Sequence, residues 1–193
     1  MRTTFLVRQA LWPQVVPGLL ASLLAGCAVM PAGVDRGLPA LNLDHRAGKA
    51  ALKIRFPRAK AQILPLDTDA KVDPASGTAT VELVASAWSN TLLVQDTYAS
   101  KPGPLSMCQA GQESFLRVIR LAPLKEILSV KLASCHDNIE LASPGLEWHA
   151  DTGILKIRWL SDVNHLAHER TLQIARDGSI VFVTSVTSDL LKY

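Results

Sequence analysis

The sequence has no large excess of charge of either sign. Its 20 lysines and arginines exceed its 17 aspartates and glutamates by three, and two of the cations, Arg2 and Arg8, lie near the N-terminus. Binding to the phosphates of nucleic acid needs clustered positive charge. We therefore expect that no nucleic acid is a partner of this protein.

The sequence also lacks the short motifs that mark common enzyme and cofactor sites. It has no G-x-S-x-G nucleophile elbow, no glycine-rich loop between a strand and a helix, and no C-x-x-C pair. A Ser-His-Asp triad is recognised by its geometry, so the presence of these residue types alone indicates nothing. We therefore predict no cofactor and nominate no catalytic residue.

Long apolar runs are absent except at the N-terminus. There Arg2 and Arg8 precede an apolar stretch, residues 10–24, that is interrupted by Gln14, Ser22, two prolines and a glycine. The stretch is too short and too broken to span a membrane, but a positive start followed by such a stretch is typical of a secretory signal. No later stretch approaches the roughly 20 apolar residues that a spanning helix needs.

Small residues close the N-terminal segment in front of a cysteine. The run Leu24-Ala25-Gly26-Cys27 resembles the lipobox of bacterial lipoproteins. In that family the segment before the cysteine is removed, and the cysteine becomes the diacylated N-terminus. The resemblance implies that residues 1–26 are a signal peptide and that Cys27 anchors the protein in the lipid bilayer. Two acyl chains give stable anchoring, whereas a single chain gives only marginal anchoring.

The residue after the lipidated cysteine bears on the destination of the protein. In the lipoproteins of diderm bacteria, an aspartate at this position favours retention at the inner membrane. This sequence has Ala28 there, which implies the outer membrane, with the domain facing the periplasm. The segment 27–48 has prolines and glycines and no sustained period, so we interpret it as the lipidated N-terminus followed by a flexible tether.

Two cysteines remain after the lipidated one. Cys108 and Cys135 form an even pair in an exported chain, which predicts a disulfide bond. The alternative is two free thiols. Closing a loop of about 28 residues would contribute roughly 3–4 kcal/mol to the free energy of unfolding in the chain-entropy estimate.

Residues 49–193 show the two-residue period of β-strands. Apolar and polar residues alternate in 52–56, 79–85 and 155–159. Apart from Arg117 and Arg120, the stretch 115–121 is apolar on both faces, as a central strand would be. Turn residues recur about every 8–12 residues. These patterns predict a single all-β domain, either a β-sandwich or a barrel-like antiparallel meander.

Two turns and one ambiguous segment refine this prediction. The turn residues 73–77 predict a hairpin before the strand at 79–85, and Asp177-Gly178 predicts a two-residue hairpin before 179–186. The segment 124–132 fits a helix face and a strand. We favour the strand because Ile127 and Val130 are β-branched.

The histidine-rich run His165-Leu166-Ala167-His168-Glu169 is a candidate metal site. It offers two imidazoles and a carboxylate, but its spacing matches no zinc motif such as H-E-x-x-H. We interpret it as part of a solvated loop, in which replacing either histidine by alanine changes stability by less than about 0.5 kcal/mol.

Two further positions are weak candidates for a contact surface. Trp148 lies beside charged residues near a turn, so we expect it to be partly exposed, whereas Trp159 lies on the apolar side of its strand and belongs to the core. Together with Trp88, these two tryptophans could form an aromatic platform for a ligand. Lys101 lies in the proline- and glycine-rich segment 100–105, which is either a contact loop or a rigid connection.

These features together predict a membrane-anchored envelope lipoprotein with a non-catalytic role in the periplasm. The role would be structural or protein-binding, as in assembly factors, inhibitors and immunity proteins that share this architecture. The partner would be an envelope protein. The alternative is an envelope hydrolase that acts on peptidoglycan or lipid through His165, His168 and Glu169. A cleft that converges on these residues favours the enzyme, and an exposed apolar sheet face favours the binding protein.

Overall fold

The computed structural model describes residues 37–46, 48–104 and 107–187. The regular elements of these ranges are twelve β-strands, all in antiparallel pairs. This confirms the predicted all-β class. Within the same ranges, no helix has the length and apolar character needed to cross a membrane. The predicted signal peptide, Cys27 and Ala28 lie outside the described residues.

The strands form three sheets. The N-terminal sheet contains, in spatial order, β1 (Ala40–Arg46), β2 (Lys49–Arg55) and β3 (Gln62–Pro65). The central sheet contains β4 (Val72–Asp73), β5 (Thr80–Ala87), β6 (Thr91–Ser100), β7 (Gln112–Leu121) and β8 (Leu124–Ser134). The C-terminal sheet contains β9 (Glu140–His149), β10 (Ile154–Ser161), β11 (His168–Ile174) and β12 (Ile180–Thr187).

The central sheet is the middle layer of the fold. In it β6 and β7 are buried along almost their whole length, because each face of the sheet is covered. One face packs on the N-terminal sheet in a core that includes Leu52 and Leu92. The other face packs on the C-terminal sheet in a core that includes Leu116, Leu172 and Trp159. The predicted central strand, the strand at 124–132 and the core position of Trp159 are thus confirmed.

The hairpin at Asp177-Gly178 is confirmed, but its loop is longer than predicted. The Ala175 N–H donates to the Ser179 carbonyl at 2.9 Å, which leaves the three residues 176–178 as the loop. Gly178 has a φ of 80°. Glycine takes this left-handed conformation without strain, and the third position of a three-residue hairpin loop requires it.

Three other parts of the fold differ from the prediction. The end of the predicted tether is a strand, β1, because Leu41 and Leu43 alternate with polar residues and pack on the core. The turn at 73–77 does not close a hairpin, since β4 and β5 both pair with β6 and not with each other. The strand β9 was not predicted, because Pro144 and Gly145 interrupt its pattern and its pairing with β10 is irregular.

Candidate functional site

A groove of about 330 Å³ opens between the central and C-terminal sheets. Its walls come from β8, the turn after β8, β10, β11 and the connection between β10 and β11. The residues that give it chemical character are Lys131, Asp137, Trp159, Asp162, Val163 and Arg170. It therefore combines an indole surface with charges of both signs, and such a surface is suited to a peptide or another polar ligand.

The charges on the β8 side of the groove neutralise one another. The Lys131 ammonium lies 2.7 Å from a carboxylate oxygen of Asp69 and 2.7 Å from one of Asp137, and Lys71 also pairs with Asp137. Hydrogen bonds from Lys131 and Lys71 lower the pKa of Asp137 to about 2. Burial opposes the charge of Lys131, but hydrogen bonds to Asp137 and Asp69 outweigh it and raise the pKa of this lysine. These groups stay ionised near neutral pH and fix the shape of this wall.

Arg170, on the opposite wall, is different because its nearest described partners are aromatic rings. Its guanidinium lies 5.7 Å from the Trp159 ring centre and 5.9 Å from the Phe182 ring centre. Among the described residues, no carboxylate comes within ion-pair distance of it. Arg170 is thus a cation held between two aromatic rings, and it connects the groove to β12.

Strand β12 forms an apolar edge beside this arginine. The exposed fractions of Val181, Phe182, Val183 and Val186 are 55%, 61%, 51% and 52%. Phe182 pairs with Leu172, which is fully buried. Directly paired residues project from the same face of a sheet, so Phe182 lies on the core-facing side of the C-terminal sheet, past the layer that covers it. Val181 and Val186 lie on the opposite face, because they pair with Gln173 and Glu169. We call these four side chains the β12 patch.

The histidine-rich run does not form one site. His165 lies exposed in the connection between β10 and β11, as predicted, but the connection ends earlier than expected and His168 begins β11. His168 is buried against Trp159, with ring centres 5.6 Å apart. It lies on the same face of β11 as Leu172 and Ile174, and this face is turned towards the core. The prediction of a solvated loop is therefore wrong for His168.

Glu169 points away from this histidine. Neighbouring residues of a strand project to opposite faces, and the Glu169 carboxylate lies 3.9 Å from the Arg158 guanidinium. The three residues of the proposed hydrolase loop, His165, His168 and Glu169, thus do not converge. In the described ranges, no group of three His, Cys, Asp or Glu side chains is arranged to hold a metal ion.

Replacing the two histidines by alanine should have different effects on the free energy of unfolding. His165→Ala should change the free energy of unfolding by less than about 0.5 kcal/mol. His168→Ala should lower it by about 1–2 kcal/mol, since Nδ1 lies 3.3 Å from the Thr187 hydroxyl and Nε2 lies 3.1 Å from the Ser185 hydroxyl. Urea unfolding of both variants measures the difference. Equal effects of the two substitutions would contradict this placement.

Another arrangement around His168 was not predicted from the sequence. Ser185 Oγ lies 3.1 Å from Nε2, and Asp162 Oδ2 lies 3.9 Å from Nδ1. Burial would raise the pKa of Asp162, but hydrogen bonds from the N–H groups of Leu166 and Asn164 lower it. The order of groups is that of a serine, histidine and aspartate triad. Sequence gave no signal for it, because Ser185 lies on β12 and Asp162 before β11.

The two weak contact candidates lie elsewhere. Trp148 is half-buried and meets Trp88 edge-on, with ring centres 6.1 Å apart, so it completes the edge of the core. Lys101 is exposed, but its ammonium donates to the Ala70 carbonyl at 2.8 Å and its own carbonyl lies 2.7 Å from His136 Nε2. These contacts give the segment around Lys101 the character of a rigid connection.

The predicted disulfide bond is present. Cys108 and Cys135 are joined, with a Cα–Cα distance of 5.7 Å. The bond links the segment before β7 to the turn after β8, and that turn also carries Asp137. It therefore holds one wall of the groove to the central sheet.

No family model matches the chain, and no curated protein or solved structure matches it either. Function must therefore be argued from the groove, the β12 patch and the N-terminal sequence of this chain.

Proposed function

We propose that this protein is a lipid-anchored envelope protein whose all-β domain binds a protein partner without catalysing a reaction. The lipobox-like run ending at Cys27 supports the anchor, and Ala28 supports an outer-membrane location with the domain in the periplasm. The observation that carries the binding role is the β12 patch, in which four large apolar side chains are more than half exposed on the two faces of one strand. Large apolar side chains left exposed together on one element mark an interaction site.

The anchor is tested first. Protein purified from membranes should begin at Cys27 and carry added acyl mass, and Cys27→Ser should move the domain to the soluble fraction. Ala28→Asp is the matched control: it should keep the lipid and shift the protein from the outer-membrane to the inner-membrane fraction. Fractionation and intact-mass analysis measure both results. A mature chain that begins elsewhere without lipid would refute the anchor.

The binding role is tested in intact envelopes. A photo-crosslinking amino acid at Val163, on the groove wall, should join the protein to a partner, and one at Ile63, on β3 in the N-terminal sheet, should not. The purified partner should then bind the domain in a defined ratio without being chemically altered. Crosslinking of equal strength from both positions would refute a site at the groove.

A hydrolase is the second candidate, and the contact between Ser185 and His168 favours it. In this function His168 Nε2 would accept the proton of the Ser185 hydroxyl while that oxygen attacks an ester or amide carbonyl of the envelope. The imidazolium would return the proton to the departing alcohol or amine, and water would then hydrolyse the acyl-serine. Two distances weaken it. The Thr187 hydroxyl lies 3.3 Å from Nδ1, closer than Asp162 at 3.9 Å, so the aspartate is not the nearest group that orients the ring.

A serine-directed fluorophosphonate probe separates the two functions. We expect no labelling of Ser185 above the level seen with Ser179, an exposed serine in the β11–β12 turn. A hydrolase would label Ser185 selectively, and the label would disappear in His168→Ala. Peptide mapping of the labelled protein gives the result, and selective labelling would replace the binding role by the hydrolase.

A further inference from the structure

Strand β12 differs from every other sheet-edge strand in the described ranges. Such strands present unpaired N–H and C=O groups, and proteins protect them with charged residues or proline. Each of the others has that protection: β1, β4, β5, β8 and β9 contain charged residues, and β3 contains Pro65. The sequence of β12, IVFVTSVT, contains neither. The spatial order of the C-terminal sheet is β12, β11, β10 and β9, and no strand of the described residues pairs with the outer edge of β12.

We infer that β12 accepts an extended segment of the partner protein as an added strand, with a carboxylate of that segment bound by Arg170. This inference rests on the proposed binding role and specifies its geometry and chemistry. Backbone hydrogen bonds would supply affinity, and alternate side chains would supply specificity, as in other cases of strand addition. The side chains of the added strand would alternate between the two faces of the sheet, so they would cover Phe182 on one face and Val181 and Val186 on the other.

The position of Arg170 beside β12 indicates that the added strand carries a negative charge. This residue belongs to β11, yet its guanidinium lies 5.9 Å from the Phe182 ring centre, so it already reaches towards β12. An added strand would lie about 4.8 Å beyond β12, within reach of a glutamate side chain that folds back towards Arg170. The other groove cation, Lys131, is already paired with Asp69 and Asp137. Of the two groove cations, Arg170 is therefore the one without a carboxylate partner among the described residues.

The backbone also argues against a lipid surface as the occupant. An apolar patch near a lipid anchor could rest on a bilayer, but the open N–H and C=O groups of β12 would then lose water without gaining partners. Each unsatisfied group of this kind costs several kcal/mol in hydrocarbon. A strand satisfies these groups and covers the same side chains, so both observations are met by one occupant.

The experiment uses the full-length protein in detergent micelles and peptides selected against it from a random display library. We expect the selected peptides to alternate apolar and polar residues and to contain glutamate or aspartate. Hydrogen exchange of the complex should show new protection of the β12 amides, which is the signature of strand addition.

Arg170→Gln and Val181→Lys should each weaken binding about tenfold. Arg158→Gln and Ile63→Lys, on other exposed surfaces, should leave binding within about twofold.

Each alternative occupant gives a different result. Light scattering that shows a dimer, lost in Val181→Lys, would assign the edge to a second copy. Protection of β12 in the free protein that is lost on removing residues 188–193 would assign it to the end of this chain. Binding to phospholipid vesicles that depends on Phe182 would assign it to a membrane. Peptides that bind without protecting β12 would overturn strand addition, yet the groove and the proposed binding role would stand.

Discussion

Replacing Arg117 by methionine is expected to lower the free energy of unfolding by about 3–5 kcal/mol. The Arg117 side chain is fully buried in β7, and its Nε lies 2.7 and 2.9 Å from the two carboxylate oxygens of Asp96, which is also fully buried. Its Nη1 donates to Glu126 and to the Asp67 carbonyl, both at 2.9 Å. Methionine fills similar space but leaves the Asp96 charge in the core without a partner.

The titration behaviour of the same cluster agrees with the direction of this effect. Burial disfavours the charge of Arg117, but the hydrogen bond and the charge of Asp96 outweigh it and raise the pKa of Arg117. Burial raises the pKa of Glu126, and the nearby Arg117 only partly offsets it. Burial and the charge of Asp96 also raise the pKa of Tyr98. Loss of the arginine would therefore leave a set of buried acidic groups with nothing to balance them.

Two controls make the expectation specific. Arg158→Met removes a half-exposed arginine that lies 3.0 Å from Glu147, and it should cost less than about 1 kcal/mol. Adding Asp96→Leu to Arg117→Met should recover part of the loss, because the unpaired charge is then gone. Urea unfolding compares the three variants. If Arg117→Met were no more harmful than Arg158→Met, the buried cluster would not contribute as argued.

The sequence carries enough information for the fold class because burial follows a two-residue period. Strand β10 shows it clearly, and β7 is apolar on both faces as a strand of the middle layer is; both were predicted. In the strands that escaped prediction the alternation is short or interrupted. In β1 only Leu41 and Leu43 face the core, and in β9 the pair Pro144-Gly145 breaks the alternation. A local pattern cannot show that tertiary contacts hold such segments in a sheet.

The candidate site was much less predictable than the fold. The partners that shape the groove are far apart along the chain: Lys131 and Asp69 are 62 residues apart, and Lys71 and Asp137 are 66 apart. No spacing rule links them. The β12 patch was missed for the opposite reason, since an apolar strand sequence indicates burial by default. Its signal was the lack of any charged residue or proline, and this becomes informative only once β12 is known to be an edge.

Loss of the disulfide bond is the second large effect that we expect. The bond joins residues 27 apart in the sequence, so breaking it frees a loop that contains β7 and β8. Cys135→Ser should lower the free energy of unfolding by about 3 kcal/mol, because the unfolded chain regains the entropy that the closed loop removed. For a domain of this size the melting temperature should fall by roughly 10 °C.

Serine fits at position 135 of the folded chain, so the change in melting temperature reports the loss of the bond. The backbone at Gly111 passes so close that an added Cβ would lie 2.6 Å from the Cys135 Cβ, so a serine at 135 fits where a larger residue would not. Cys108→Ser and the double serine variant should melt together with Cys135→Ser, and a reductant should bring the wild-type protein to the same temperature while leaving the variants unchanged. Equal melting of the oxidised and reduced wild type would show that the loop is already constrained in the unfolded state, and the entropic argument would then fail. A fall in the single variants alone would instead indicate that the remaining thiol, and not the lost bond, is responsible.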